Sequence, residues 1–512
     1  MKRGLTALVL LVLAGAASAK DLVGVFEDAV HNDPQIRQAD ANRLAAREAR
    51  PQAWSTLLPQ LAGSASEGRD HSAGFQDSFF LDANGQLVRF PIQSTADTTR
   101  NQWSLNLRQN VFSWANWMTL KAADSQVAQA EATYQAAEQN LILRASQAYF
   151  AVLAAVDNLD AQQASLEAIA RQLDQANKRF EVGLIAITDV EEAKAARDTA
   201  AAAVIAAKRT LATTEDQLQE ITGQKYDALS KPGADMPLNM PEPADQSRWV
   251  QTSQEQNLSL IASRLAADIA RDNVRVAFGG HLPTLDLMAS RSYSRNHADE
   301  VIAEPNSAPL RLENFGSKIN DRQYSLQVTV PIFSGGFTQS RVRETQYLWI
   351  AAKEQVVQSS RATERQARDA YLGVISGIAR VQALRQALES SRTALKATEA
   401  GYEVGTRTAV DVLNSRRTLV QAQTDYSGSR YDYIVSVIQL RLAAGNLDRA
   451  QLVEINNWLA ESAPTSPPVA TPETLSPTVP PSSTQPAPAP LTPPAAPSPP
   501  RRPKPPGPNR PP

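Results

Sequence analysis

Apolar or small side chains recur at alternating steps of four and three residues along two long stretches of the chain. The first run ends at Phe180 and can be followed back to Leu141, with one polar interruption at Gln162; the second runs from Ala370 to Tyr402. This spacing is the heptad seam of a coiled coil. It predicts two long helices that need neighbouring helices to pack against, and a plain fibrous coiled coil would show the same pattern.

Two other stretches alternate between apolar and polar residues, the pattern of a β-strand with two different faces. They are WSLNLRQNVF, which starts at Trp103, and QYSLQVTVPIF, which starts at Gln323. Each is about ten residues long, the length that a tilted strand needs to cross a membrane, and aromatic residues stand at the ends as in interfacial girdles. In a soluble sheet one such strand would instead pack its apolar face on helices.

Partner strands are expected after two Leu-Pro motifs, near 61–67 and 284–293, with polar hairpin loops at 68–100 and 294–321. Four strands cannot close a barrel, which needs at least about eight. Open sheet edges cannot face lipid, because their backbone groups would lack hydrogen-bond partners. The strands therefore predict an oligomer, in which two copies would supply eight strands and three would supply twelve.

The chain contains an internal two-fold repeat. Corner residues of one half match those of the other at a constant offset of 222 positions, as Phe180, Val182, Gly183, Asp189 and Val190 against Tyr402, Val404, Gly405, Asp411 and Val412. The repeats are predicted at 20–230 and 251–460, each running helix, two strands, long helix, corner and helix. A Pro-rich linker and equatorial region is expected at 231–250.

Each corner should turn the chain between two helices. Gly183 and Gly405 suit helix ends, where φ is often positive and a side chain is costly. Thr188 and Thr408 suit the starts of the helices that follow.

The two ends of the sequence differ in composition from the repeats. Residues 1–19 combine a basic start, an apolar core of about ten residues and small residues, which predicts a secretory signal peptide. Residues 461–512 are rich in Pro, Ala, Ser and Thr and should form a disordered tail, either without function or as a tether to cell wall or partner.

Composition narrows the range of functions. The 51 Lys and Arg nearly balance the 53 Asp and Glu, and no basic block occurs, so no nucleic-acid partner is expected. The sequence has no cysteine, which removes disulfides and a thiol for a lipid anchor. Its four histidines stand far apart, and no phosphate loop or nucleophile elbow is present, so we expect no metal, no cofactor and no enzyme activity.

Several motifs resemble the TolC family of outer-membrane exit ducts, namely RFEVGLIAITDV, GHLPTLDL, VPIFSGG and GYEVGTRTAVDVL. The resemblance extends from about Asp21 to Leu459, in order and through both halves. It implies a mixed α and β fold: an outer-membrane β-barrel shared between three protomers and continued into a long periplasmic α-helical coiled-coil barrel.

The resemblance also implies a function and partners. The expected function is the passive exit duct of a tripartite efflux pump, of a type I secretion system, or of both. Expected partners are two further copies in a homotrimer, a periplasmic adaptor, an inner-membrane pump and outer-membrane lipid. The alternative is a periplasmic coiled-coil adaptor without channel activity.

The resemblance assigns roles to residues at the periplasmic tip. Asp189, Tyr402 and Arg407 match links that hold the gate shut. Asp411 matches an acidic ring around the closed pore, and Asn414 stands where the family has a second acidic ring. The sequence TAVD alone favours a capping box of Asp411 with Thr408, a role compatible with the pore ring, and Asp189 alone would be explained by the preference of the helix dipole for a carboxylate in the first turn.

Overall fold

The computed structural model describes residues 19–465, apart from 82, 234 and 304–308. The predicted signal peptide, except its last residue, and the predicted tail from residue 466 onwards lie outside the described residues. Of the helices in this part of the chain, none combines the length and the apolar character that a bilayer-spanning helix requires.

The two halves have matching element orders. The first half contains α1 (Leu22–Asn32), α2 (Pro34–Arg47), α3 (Ala49–Ser55), β1 (Gln60–Leu81), β2 (Leu87–Phe112), α4 (Trp114–Glu181) and α5 (Ile187–Thr222). The rest contains β3 (Ala228–Pro232), α6 (Gln246–Gln256), α7 (Leu258–Phe278), β4 (Thr284–Ala303), β5 (Pro309–Thr329), α8 (Phe337–Glu403), α9 (Ala409–Ala444), α10 (Arg449–Asn456) and β6 (Leu459–Pro464).

The two predicted seams lie on the two longest helices, α4 with 68 residues and α8 with 67. On α4 most seam positions are buried, among them Leu141, Val152 and Leu159. Along the α8 seam from Ala370 to Tyr402, only every seventh residue is buried, at Val374, Val381, Leu388 and Leu395. One protomer therefore covers about half of the second seam and leaves the other half open.

Four strands form one antiparallel sheet in the order β1-β2-β4-β5. Its strands have 20 to 26 residues, so the predicted strand length of about ten residues was wrong. The hairpin loops predicted at 68–100 and 294–321 were also wrong for the most part, because strands occupy most of these residues. The reason is that backbone pairing continues where apolar alternation stops. Asp97 of β2, for example, still pairs with His71 of β1 and Asp299 of β4.

A second, small sheet consists of the two strands β3 and β6. β3 pairs antiparallel with β6, so part of the predicted linker at 231–250 is strand, and the predicted tail starts too early because β6 continues to Pro464. Pairing with β3 orders these residues despite their tail-like composition.

The main hydrophobic core lies beneath this small sheet, where α1, α4, α9 and α10 meet. Phe150 of α4 stacks on Tyr431 of α9 with ring centroids 5.8 Å apart, and the Tyr431 hydroxyl donates to Asp157 at 2.8 Å. The Tyr149 hydroxyl donates to the backbone oxygens of Lys20, at 3.2 Å, and of Ser230. Burial raises the pKa of Tyr149 and Tyr431 well above the usual range, so both stay neutral donors.

Gly445→Ala should destabilise the protein more than Gly405→Ala. Both glycines have left-handed backbones, with φ of 81° and 80°, so alanine costs about 1–2 kcal/mol at either position. At Gly445 an added Cβ would also lie 2.3 Å from the backbone oxygen of Gln256, whereas Gly405 has open space. The apparent melting temperature in detergent, followed by far-UV circular dichroism, should be lower for Gly445→Ala; equal values would contradict the steric argument.

Candidate functional site

The two helical corners have the same backbone hydrogen bonds. At the first, the Gly183 amide donates to the Phe180 oxygen at 2.9 Å and the Leu184 amide to the Arg179 oxygen at 2.8 Å. At the second, the Gly405 amide donates to the Tyr402 oxygen at 3.2 Å, and the Thr406 amide to the Gly401 oxygen at 2.8 Å. Both are Schellman endings, in which a left-handed glycine satisfies the last carbonyls of a helix. Gly183 and Gly405 have φ of 75° and 80°, as the sequence predicted.

The helix starts that follow the corners differ. α9 begins with a capping box: the Asp411 amide donates to Thr408 Oγ1 at 3.2 Å, and the Asp411 carboxylate accepts from the Thr408 amide at 3.0 Å. α5 begins at Ile187, so Thr188 lies at the start of the helix as predicted, but the N-cap residue is Ala186 and no side chain caps this start. An alanine cannot accept the free amides of the first turn, so only the second corner is capped.

The capping box perturbs the Asp411 carboxyl. The hydrogen bond from the Thr408 amide, the Thr408 hydroxyl and the nearby Arg407 charge all lower its pKa, in that order of importance. Asp411 is therefore ionised at neutral pH, as a pore ring would also require.

Tyr402 lies at the contact between the two long helices. The Arg179 guanidinium of α4 lies 5.2 Å from the centre of the Tyr402 ring, a cation–π contact. Beside it, Arg416 of α9 forms an ion pair with Glu399 of α8 at 2.5 Å. These contacts tie α4, α8 and α9 together next to the second corner.

A cavity of about 290 Å³ opens among these side chains. Gln172 of α4 lines it, and neither polar atom of its buried amide has a hydrogen-bond partner among the described residues; Arg416 Nε is also unpaired. Buried polar atoms without partners raise the free energy of the packed state. The cavity therefore exposes polar groups of α4 and α9 that a hydrogen-bonding group entering it would satisfy.

The remaining predicted gate residues are not joined within one protomer. In the described part of the chain, the Asp189 carboxylate and the Arg407 guanidinium have no ion pair or side-chain hydrogen bond. The Arg407 amide donates to the Gly401 oxygen at 3.2 Å, which fixes the backbone at the corner while the side chain stays exposed. Both charges are therefore available to groups outside the protomer.

A polar stripe runs along α9 from the capping box. Its members follow steps of three and four residues and are all at least partly exposed: Asp411, Asn414, Thr418, Gln421, Asp425, Gly428 and Asp432. Such spacing keeps side chains on one face of a supercoiled helix. Asp411 and Asn414 thus share a polar face that the protomer itself leaves uncovered.

Sequence reasoning missed Arg179, Glu399 and Arg416. Glu399 and Arg416 are on different helices, and no local pattern shows that they meet. For Arg179 the sequence contained one weak indication of a role at the corner, because this residue precedes Phe180, the counterpart of Tyr402 in the repeat. As for metals, the described residues contain no cluster of three or more His, Asp or Glu side chains that could hold an ion.

The comparisons with known proteins identify the family. The model of the family described as outer membrane efflux protein matches residues 25–224 and 249–446. The chain belongs to this family. Outer membrane protein TolC of Escherichia coli strain K12 is 35% identical over 478 residues, which cover 93% of this chain and 92% of that relative.

More distant similarities also cover most of the chain. The alkaline protease secretion protein AprF of Pseudomonas aeruginosa is 26% identical over 445 residues, 86% of this chain and 88% of the relative. The crystal structure of the Campylobacter jejuni CmeC outer membrane channel superposes with a TM-score of 0.65 at 18% identity and covers 86% of this chain and 90% of that one.

Membership of the outer membrane efflux protein family confirms the main sequence predictions. The family matches fall in the two halves, as the predicted repeat requires, and the fold is the mixed α and β fold of TolC. The protein is a TolC-like outer-membrane channel with a periplasmic extension, and it is not an enzyme. The family implies a trimeric channel that works in tripartite pumps.

Asp411→Ala should loosen the first turn of α9, because it removes half of the capping box. Hydrogen-exchange protection of the Thr408, Asp411 and Val412 amides should fall, measured by mass spectrometry on the detergent-solubilised protein. Asp189→Ala is the matched control, since Asp189 has the equivalent position on α5 but makes no cap. Equal loss at both corners would contradict a specific cap.

The same protection should depend on pH. Since the folded state lowers the pKa of Asp411, the ionised carboxylate stabilises the turn at neutral pH, and this stabilisation is lost as pH falls through the lowered pKa. Protection factors at the start of α9 should drop in acid more than those at the start of α5. Parallel changes at the two starts would argue against the carboxylate as the cause.

Proposed function

We propose that three copies of this chain close one twelve-stranded barrel and one helical duct, and that the two corners form its periplasmic gate. Cargo would cross the outer membrane passively, with an inner-membrane pump and a periplasmic adaptor supplying energy and docking. The names of relatives support either cargo class, since they include an efflux protein and protease secretion proteins.

The observation that carries the barrel proposal is the four-stranded sheet. Its two edge strands, β1 and β5, have no further neighbour in the described part of the chain. One face of β5 is apolar and bare, with Tyr324 78% exposed and both Leu326 and Val328 63% exposed. The apolar face is unfavourable in water, and the two open edges are unfavourable in lipid because their backbone groups lack hydrogen-bond partners. Joining three such sheets edge to edge removes the open edges.

The half-open seam on α8 supports the same assembly for the duct. Its uncovered positions are small or apolar, including Gly377, Leu384 and Ser391, and all remain partly exposed in the protomer. Small residues allow a neighbouring helix to approach closely. A periplasmic adaptor made only of coiled coil would have no use for the apolar sheet, which favours the channel over that alternative.

Unpaired charges support the gate. Among the described residues, Arg407 and Asp189 form no ion pair in their own protomer, although the Arg407 charge acts on Asp411 from a distance, whereas the Tyr402 ring contacts Arg179 of the same protomer. Links between neighbouring protomers would pair the two free charges. An exposed pair of this kind contributes only about 0–1 kcal/mol, so three copies could hold the tip closed and still let it open.

The polar stripe on α9 supports the pore ring. If this face lines the duct, three Asp411 carboxylates surround its axis and favour cations over anions. Capping and lining are compatible, because the capping box uses one carboxylate oxygen, Oδ2, and leaves Oδ1 free. Asn414, one turn further, would make the second ring neutral.

Tyr402→Phe combined with Arg407→Ser should raise single-channel conductance in a planar bilayer and leave trimer assembly intact, because the changes remove a hydroxyl and a guanidinium that would link neighbouring protomers, while the aromatic ring that remains at position 402 can still pack on Arg179. Tyr347→Phe with Arg365→Ser, two exposed positions on α8 outside the corner, is the matched control and should conduct as wild type does. Assembled trimers of the corner variant with unchanged conductance would refute the gate. If neither protein gave channels, the barrel itself would be refuted.

Asp411→Asn should weaken cation selectivity, seen as a smaller reversal potential in a salt gradient, while the amide oxygen still accepts at the cap. Asn414→Asp should act in the opposite direction and restore a second acidic ring. Reversal potentials that stay the same in both variants would show that α9 does not line the constriction.

A further inference from the structure

Two pairs of cations face each other across β4 and β5. Arg291 is the register partner of Arg322, and Arg295 is the register partner of Lys318. Directly opposed side chains have Cβ atoms about 5 Å apart, and like charges at this distance are destabilising. Within the described residues, no carboxylate lies within 4.0 Å of any of these four side chains. The sheet therefore concentrates positive charge that its own residues do not neutralise.

These cations lie on the apolar face of the sheet. Side chains alternate along a strand, so Arg291 shares its face with Leu287 of β4, and Arg322 shares the same face with Leu326 of β5. The opposite face of β4 carries Ser290, Ser292 and Ser294. In the proposed barrel, on which this inference rests, the apolar face points outwards to lipid and the small polar face lines the pore.

Aromatic side chains mark the level of the cations along the strands. Tyr293 lies between the two pairs on β4 and stacks with Trp103 of β2, with ring centroids 6.4 Å apart. The Arg291 guanidinium lies 5.9 Å from the Trp103 ring centre. Trp and Tyr collect where hydrocarbon meets headgroups, and arginine beside them extends its charged end towards the headgroups.

Along the strands, the four cations lie beyond the apolar residues, on the side that is further from the periplasmic helices. The periplasmic helices join the sheet at the opposite strand ends, near Thr284 of β4 and Thr329 of β5. Moving away from these ends, β5 passes through Val328, Leu326 and Tyr324 before it reaches the first cation. In the proposed barrel this is the headgroup level of the leaflet facing away from the periplasm.

We propose that Arg291, Arg295, Lys318 and Arg322 form a binding site for an anionic lipid whose headgroup carries phosphate. Arginine binds phosphate through paired, charge-assisted hydrogen bonds. The two pairs lie four residues apart along the strands, about 13 Å at ~3.3 Å per residue, so a headgroup with two phosphates can place one on each pair.

The acids on this face do not compensate the four cations. Asp299 accepts a hydrogen bond from Asn314 at 2.7 Å and lies 3.7 Å from His297. Asp97, on β2, is hydrogen bonded to His71 of β1 at 2.6 Å. Glu67 shares the row of Arg295 but lies on β1, with β2 between them.

The test compares lipid binding by the whole protein in non-ionic detergent. The probes are lipid A with two phosphates, the same lipid after enzymatic removal of its phosphates, and inorganic phosphate. The wild type should bind the phosphorylated lipid at least about tenfold more tightly than the dephosphorylated one. The variant R291Q/R295Q/K318Q/R322Q should lose this preference, and the control R100Q/R108Q, on the opposite face of β2, should keep it.

Each outcome has a definite meaning. Equal binding of the two lipids by the wild type, or a preference that survives in the quadruple variant, would overturn the site. Full competition by millimolar inorganic phosphate would assign the cations to a free anion and overturn the lipid as its source. Planar-bilayer recordings separate this inference from the barrel: channels without lipid preference refute only the lipid site, whereas a wild type that never inserts refutes both.

Discussion

The rest of the architecture depends on the backbone hydrogen bonds of one four-stranded sheet. Hydrocarbon offers no partners to an amide or a carbonyl, so a strand edge in lipid must pair with protein. This chain supplies four strands, too few for closure, and it exposes apolar side chains on one face. Association is therefore a condition of stability in the membrane, and in the proposed trimer the threefold symmetry of the barrel would be carried down into the helices.

The main hydrophobic core fixes the long helices relative to the small sheet of β3 and β6. Tyr149 and Tyr431 hold α4 and α9 to the small sheet through hydroxyl groups that burial keeps neutral. Large side chains also occupy many buried seam positions, such as Leu159 of α4 and Leu388 of α8.

Sequence patterns predicted what depends on periodicity and missed what depends on tertiary contact. The seam from Leu141 to Phe180 and the left-handed glycines at the corners were predictable, because spacing and glycine chemistry are local. The full length of the strands was not, since polar residues such as Asp97 pair through the backbone and leave no apolar alternation. The ion pair of Glu399 with Arg416 was also beyond reach, because it depends on the packing of two helices.

The asymmetry between the two corners has a mechanical consequence. The same Schellman ending is followed by a capped helix start in one half and by an uncapped start in the other. Around a trimeric tip, six turns would alternate between stiff and compliant. In the proposed trimer, the three uncapped turns would bend more easily than the three capped ones, so bending would be concentrated in the first half of each protomer.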